Sequence, residues 1–141
     1  MPKVHRLCLV GFGNVGRSFA RLLLDKAEEL SSRYGVTALV TGIITGSHGA
    51  AINPEGLDLQ AALELAVTGQ TLTRLSAVDT PTESRTFISA CPADFMFETT
   101  PVNPHTGQPA LDHIRKALKA GMHVVTANKG PVVHGYQALT S

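Results

Sequence analysis

The chain has 141 residues, enough for one domain with a real core and too few for two of ordinary size. Twelve basic residues against 11 acidic ones leave a net charge of +1, which removes the electrostatic footprint of a nucleic-acid binder. No apolar run approaches the roughly 18 residues of a membrane helix, residues 7–10 are too short for the core of a signal peptide, and Cys8 and Cys91 lie far apart in apolar stretches, as unpaired thiols of a reducing compartment do. The expectation is a cytoplasmic domain with no membrane and no nucleic-acid partner.

Residues 4–10 are apolar and β-rich and run straight into Gly11, as a buried central strand does. From Asn14 to about Arg33 the period changes. Val15, Phe19, Leu22, Leu23, Ala27 and Leu30 recur at helical spacing among charged residues, and Gly35 ends the helix. Residues 36–45 form a second strand, followed by a loop over 46–56 rich in Gly, Asn and Pro. A helix is expected over 57–67, with Leu57, Ala61 and Leu65 as its apolar row, and another over 81–91. Residues 93–98 read as a third strand, 109–120 as an amphipathic helix closed by Gly121, and 122–126 as a fourth strand.

Helical crossovers between strands imply parallel pairing and a sheet covered on both faces. The fold class is therefore α/β, a doubly wound and mostly parallel sheet, with residues 1–141 as one domain. Such sheets have about six strands, whereas four are read here, and residues 131–141 begin like a helix where the chain stops. The sheet is expected to be incomplete at the C-terminus, with an exposed edge that favours self-association.

Gly11-Phe12-Gly13-Asn14-Val15-Gly16 is a G-x-G-x-x-G, and its place between a strand and a helix makes it informative. Gly11 permits the tight turn, Gly13 lets backbone approach a pyrophosphate, and Gly16 lets the helix lie close on the sheet. This is the Rossmann-type fingerprint. The helix N-terminus supplies free N–H groups and partial positive charge. The plainer alternative is a glycine-rich turn without a ligand.

An NAD site usually carries Asp or Glu at the end of the second strand. Residues 45–48 are Thr, Gly, Ser and His instead, so nothing there repels a ribose 2′-phosphate. Ser47 can donate to such a phosphate and His48 adds charge when protonated, which favours NADP over NAD. Against this, His48 reads equally as an ordinary loop histidine.

Strand C-termini share one edge of a parallel sheet, where ligands bind. Thr99 and Thr100 follow the third strand, and Asn128 and Lys129 follow the fourth, so these loops should converge on the glycine loop. The threonines suit a ribose or carboxamide, and Lys129 is a mobile cation with three donors. Read plainly, the threonines cap a turn and the lysine is solvated.

Three stretches, residues 11–23 (GFGNVGRSFARLL), 98–101 (ETTP) and 117–133 (ALKAGMHVVTANKGPVV), resemble the N-terminal domain of homoserine dehydrogenases. That resemblance implies an NAD(P)-dependent oxidoreductase interconverting L-homoserine and L-aspartate 4-semialdehyde, on the route to threonine and methionine. By position, Gly11, Phe12, Gly13, Asn14, Val15 and Gly16 match the pyrophosphate loop. Thr99 and Thr100 match the pair near ribose and nicotinamide, and Lys129 the lysine beside nicotinamide and substrate. The family keeps its acid–base residues in a later domain, so no catalytic residue is expected here, the chain alone should be inactive, and the full-length protein should be a homo-oligomer. Rival readings are another semialdehyde or amino-acid dehydrogenase and a non-catalytic NAD(H) sensor. His5, His48, His105, His113, His123 and His134 are scattered without zinc-site spacing, and His123, in a strand, reads as a core or packing residue.

Overall fold

A computed structural model describes residues 3–100 and 105–127. Strand β1 (Lys3–Val10) runs into helix α1 (Asn14–Tyr34), strand β2 (Val36–Ile44), strand β3 (Ala50–Ile52) and helix α2 (Leu59–Val67). A 3-10 turn (Leu72–Leu75), helix α3 (Ser84–Ala90), strand β4 (Phe95–Glu98), helix α4 (Ala110–Lys119) and strand β5 (His123–Thr126) follow. The sheet order is β3-β2-β1-β4-β5, with β1 parallel to β2 and β4, and β4 parallel to β5. The chain thus builds outward from β1 on one side, then crosses to β4 on the other, and the switch point lies between β1 and β4.

Alternation along the strands divides the core in two. Leu7, Leu9, Val40, Ile43 and Ala51 pack with Phe12 and Ala20 of the α1 side and Leu59, Ala62 and Leu63 of α2. Cys8, Val10, Ile44, Ile52 and Met96 pack on the other face with Phe87 and Ile88 of α3 and Ile114 and Ala117 of α4. Each fully buried aromatic of the Phe87 kind contributes about 2–3 kcal/mol. Both faces of the sheet are covered, as expected of a doubly wound fold.

Several expectations are corrected. The loop over 46–56 contains β3, which pairs antiparallel with β2 through Gly42↔Ile52, Ile43↔Ala51 and Ile44↔Ala50. Three small or aliphatic residues carry no periodicity of their own, and the neighbouring strand supplies their partners. Along α1, Val15 and Leu22 are more than half exposed and Ala27 is also exposed, while Gly16 and Ala20 are buried. The helix comes closest to the sheet at its small residues, and Phe19 and Leu23 of the expected row pack partly buried against the core beside them, Phe19 stacked on Phe97. Helix α2 starts only after Asp58, which caps it by accepting from the Ala61 N–H at 3.1 Å, so its buried residues are Leu59, Ala62 and Leu63, while of the expected row Leu57 is buried just ahead of the helix and Leu65 packs against the core. His123 is exposed, yet its ring lies 5.1 Å from that of Phe95, so it packs without entering the core. The helix-like stretch 131–141 lies outside the described residues.

Register between β1 and β2 slips after Leu7, leaving Thr41 as an extra residue. Thr41 is fully buried and its hydroxyl donates to the Pro92 carbonyl at 3.0 Å. The same region brings Cys8 and Cys91 together, both buried and unbridged. Their mutual contact and burial push the Cys8 thiol well above its ordinary range.

Candidate functional site

The C-terminal edge of the strands is stitched together one residue beyond the ladder. Gly11 N–H donates to Ile44 O at 2.9 Å, Thr99 N–H to Val10 O at 2.9 Å, and Ala127 N–H to Glu98 O at 3.0 Å. The first residues past β1, β4 and β5 are thus each tied to the end of the neighbouring strand, while Asn128, which the expected convergence also needs, lies outside the described residues.

The three motif glycines have different reasons. Gly11 sits at φ +100°, and a side chain there would also lie 2.7 Å from Thr99 Oγ1. At Gly16 an added Cβ would lie 2.6 Å from the Gly11 carbonyl oxygen, so helix and loop touch through it. Gly13, at φ −81°, needs no special backbone, and a Cβ there would meet no protein atom within 4 Å. Protein packing accounts for Gly11 and Gly16 and leaves Gly13 unaccounted for.

Gly13 is the N-cap of α1, and it has no side chain to satisfy the helix's first N–H groups. No acidic residue occupies the first turn, so the positive end of the helix is not countered. Asn14 and Val15 are exposed on that turn. Phe12 is buried in the core, and what it offers to the loop is its carbonyl, which accepts from Arg17 Nη1 at 2.8 Å. The Arg17 guanidinium also donates to Asn14 Oδ1 at 2.9 Å. It brings a full positive charge to the loop, a contribution the sequence reading treated as helix surface. Its signal was an arginine one residue past the motif.

Thr99 and Thr100 stand beside the glycine loop, with their hydroxyls committed to protein partners. The Thr99 hydroxyl donates to Gly11 O at 3.3 Å, bracing the loop from below. The Thr100 N–H donates to the Glu98 carboxylate at 3.0 Å, and its hydroxyl makes a very short bond to the same oxygen. Glu98 is fully buried and was missed as a site residue, although it opens the ETTP stretch. Ser47 and His48 sit on the turn between β2 and β3, adjoining the glycine loop through Ile44. Ser47 is exposed and its hydroxyl pairs with His48 Nδ1 at 3.0 Å. The turn is built by Thr45, whose hydroxyl donates to Gly49 O at 2.9 Å, and pinned by Leu72 N–H on His48 O at 2.8 Å. Lys129 lies outside the described residues. A groove of about 400 Å³ between α1 and α2, lined by Arg21, Leu24, Leu63 and Val67 among others, lies along the helices and away from the strand ends.

A strand, glycine loop and uncapped helix at the switch point of a doubly wound sheet define a dinucleotide-binding domain. A sequence profile described as "Homoserine dehydrogenase, NAD binding domain" matches residues 11–141, and the chain belongs to that family. The homoserine dehydrogenase of Methanocaldococcus jannaschii is 38% identical over 133 residues, which are 94% of this chain and 39% of that protein. The NAD(+)-dependent homoserine dehydrogenase of Pseudomonas canavaninivorans is 34% identical over 132 residues, 93% of this chain and 38% of its own length. Among solved structures, the homoserine dehydrogenase of Thermoplasma acidophilum superposes with a TM-score of 0.76 at 24% identity, covering 98% of this chain and 39% of that one, a likeness of fold. The putative homoserine dehydrogenase of Archaeoglobus fulgidus superposes at 0.74 with 29% identity, over 96% of this chain and 38% of that one. A hyperthermophilic archaeal homoserine dehydrogenase solved in complex with NADPH shares the fold at 0.77 and 22% identity, over 98% of this chain and 40% of that one. The chain spans about two fifths of the length of these relatives.

Proposed function

We propose that residues 1–141 hold the nicotinamide dinucleotide of a homoserine dehydrogenase, and that the whole protein interconverts L-homoserine and L-aspartate 4-semialdehyde. The observation that carries this is Gly13. A glycine that neither backbone conformation nor packing demands, at an uncapped helix N-terminus, leaves room for something outside the protein to come close. When bound, the dinucleotide supplies the hydride acceptor or donor. The chain's part is to anchor and orient it. First-turn N–H groups and Arg17 hold the pyrophosphate, Gly11 and Gly16 fix the loop's height above the sheet, and Thr99 and Thr100 form the wall toward the nicotinamide. Lys129, two residues beyond Ala127 in the chain, would stabilise charge on the substrate oxygen or hold its carboxylate. Proton transfer to and from the substrate hydroxyl is assigned to the remaining part of the protein.

We further infer that NADP is preferred over NAD. The turn after β2 offers the Ser47 hydroxyl and His48 in place of a carboxylate, so a 2′-phosphate meets a donor and no repulsion. The free thiols Cys8 and Cys91 suit a cytoplasmic setting. Calorimetric titration with NADPH and NADH tests both points. The expected result is binding of both, with NADPH tighter. Tighter binding of NADH would overturn the assignment at Ser47 and His48, and binding of neither would overturn the assignment of the crevice.

A further inference from the structure

At the C-terminal edge, one charged side chain is wholly enclosed and has no part in the reading above. Glu98, the last residue of β4, is 0% exposed. It lies on the same face as Met96, where an aliphatic residue would satisfy packing. A carboxylate taken from water is costly and persists only when hydrogen bonds and partners surround it. Among the described residues they come from Thr100, Thr126 and His113. Oε2 accepts from the Thr100 N–H and hydroxyl and faces His113 Nδ1 at 3.5 Å, and Oε1 accepts from the Thr126 hydroxyl at 3.4 Å. His113 is itself buried on α4, 5% exposed. Thr100 is the second residue past β4, and Thr126 is the last residue of β5, three before Lys129 in the chain.

We propose that Glu98 is a positioning residue of the cofactor crevice, holding Thr100 and Thr126 so that the ends of β4 and β5 form one rigid wall, with His113 backing the carboxylate from α4. This rests on the reading that the crevice binds a nicotinamide dinucleotide. The wall is continuous with the glycine loop, because the neighbouring Thr99 hydroxyl donates to Gly11 O. Glu98 therefore acts on bound ligand through other residues. Its cost is offset by order that an aliphatic residue at the same place would not impose.

The test uses the full-length protein and NADPH, with the dissociation constant and the melting temperature both measured. Replacing Glu98→Gln keeps size and shape but removes the charge and leaves a single accepting oxygen, so Thr100 and Thr126 can no longer both donate to the side chain. Binding is expected to weaken about tenfold, in line with the loss of a charge-assisted hydrogen bond, and Glu98→Asp should recover part of it. Thr100→Ala should weaken binding too, and Glu98→Gln/Thr100→Ala should be scarcely worse than Glu98→Gln alone, since both remove one interaction. Where Glu98→Gln fails to fold, Thr126→Val and Thr100→Ala carry the same test. Variants that melt lower yet bind NADPH as tightly as the parent would show a purely structural carboxylate and overturn the proposal. Additive losses would separate Glu98 from Thr100 and also overturn it. A parent protein that binds neither NADPH nor NADH would instead remove the crevice assignment itself.

Discussion

At the scale of the residue, the three glycines of one motif turn out to answer to three causes. Gly11 answers to a left-handed backbone, Gly16 to contact with a carbonyl, and Gly13 to its place at the helix N-cap and to no packing inside the protein. A Gly13→Val substitution is therefore expected to lower the melting temperature by only a few degrees, the loss of a favoured N-cap residue. The same change should weaken NADPH binding at least about tenfold, since a side chain at the helix N-terminus excludes the phosphates. Thermal melting and calorimetry on the same preparation check this, and a Gly13→Val protein that binds normally would remove the main support for the site. The motif itself was legible in sequence because its spacing and its strand–helix context are local. Glu98 was not. A lone glutamate at a strand end reads as solvent-facing, and only α4 and β5 folding over it reveal the burial.

At the scale of the element, helix ends were easier to place than buried faces. Gly35 ends α1 at φ +64°, with its N–H on Leu30 O and Ser31 O, as its position after the periodic stretch foretold. Of the expected apolar row of α1, Phe19 and Leu23 pack against the core while Val15, Leu22 and Ala27 face solvent, because the small Gly16 and Ala20 set the line of closest approach to the sheet. Helix α3 shows what a cap does. Glu83 accepts from the Thr86 N–H at 2.8 Å and from the Thr86 hydroxyl at 2.9 Å. These bonds to Thr86 hold its carboxyl down at about 2, against 4.5 ordinarily. A lowered native value means the cap stabilises the fold above pH 4.5 and loses that contribution as pH falls toward 2. A Glu83→Ala variant should melt below the parent at neutral pH, and the gap should close through this window. A gap that stays constant down to pH 2 would show that Glu83 acts through something other than its charge.

At the scale of the molecule, the order β3-β2-β1-β4-β5 places the C-terminal ends of four strands on one edge, and the hydrogen bonds from Gly11, Thr99 and Ala127 tie those ends side by side. That arrangement suits holding a cofactor. It supplies no group placed to take a substrate proton among the described residues at the crevice, where Glu98 is buried beneath Thr100 and His113 beneath Glu98. The isolated chain is accordingly expected to bind NADPH and to show no turnover of homoserine by absorbance at the nicotinamide band. Turnover by residues 1–141 alone would overturn the division of labour between this domain and the rest of the protein.

The sequence by itself determined whatever depends on neighbours within a few residues. This covers the strand–glycine loop–helix unit, the alternation that makes a two-faced sheet, the helix stops, and the family likeness carried by contiguous stretches. Only the tertiary structure decided the rest. It set β3 antiparallel on β2, turned α1 onto Gly16 and Ala20, brought Cys8 to Cys91, and enclosed Glu98 between Thr100, Thr126 and His113. The reason is the same in each case. Burial and partner choice are settled by groups tens of residues away, and no local periodicity records which of them will arrive.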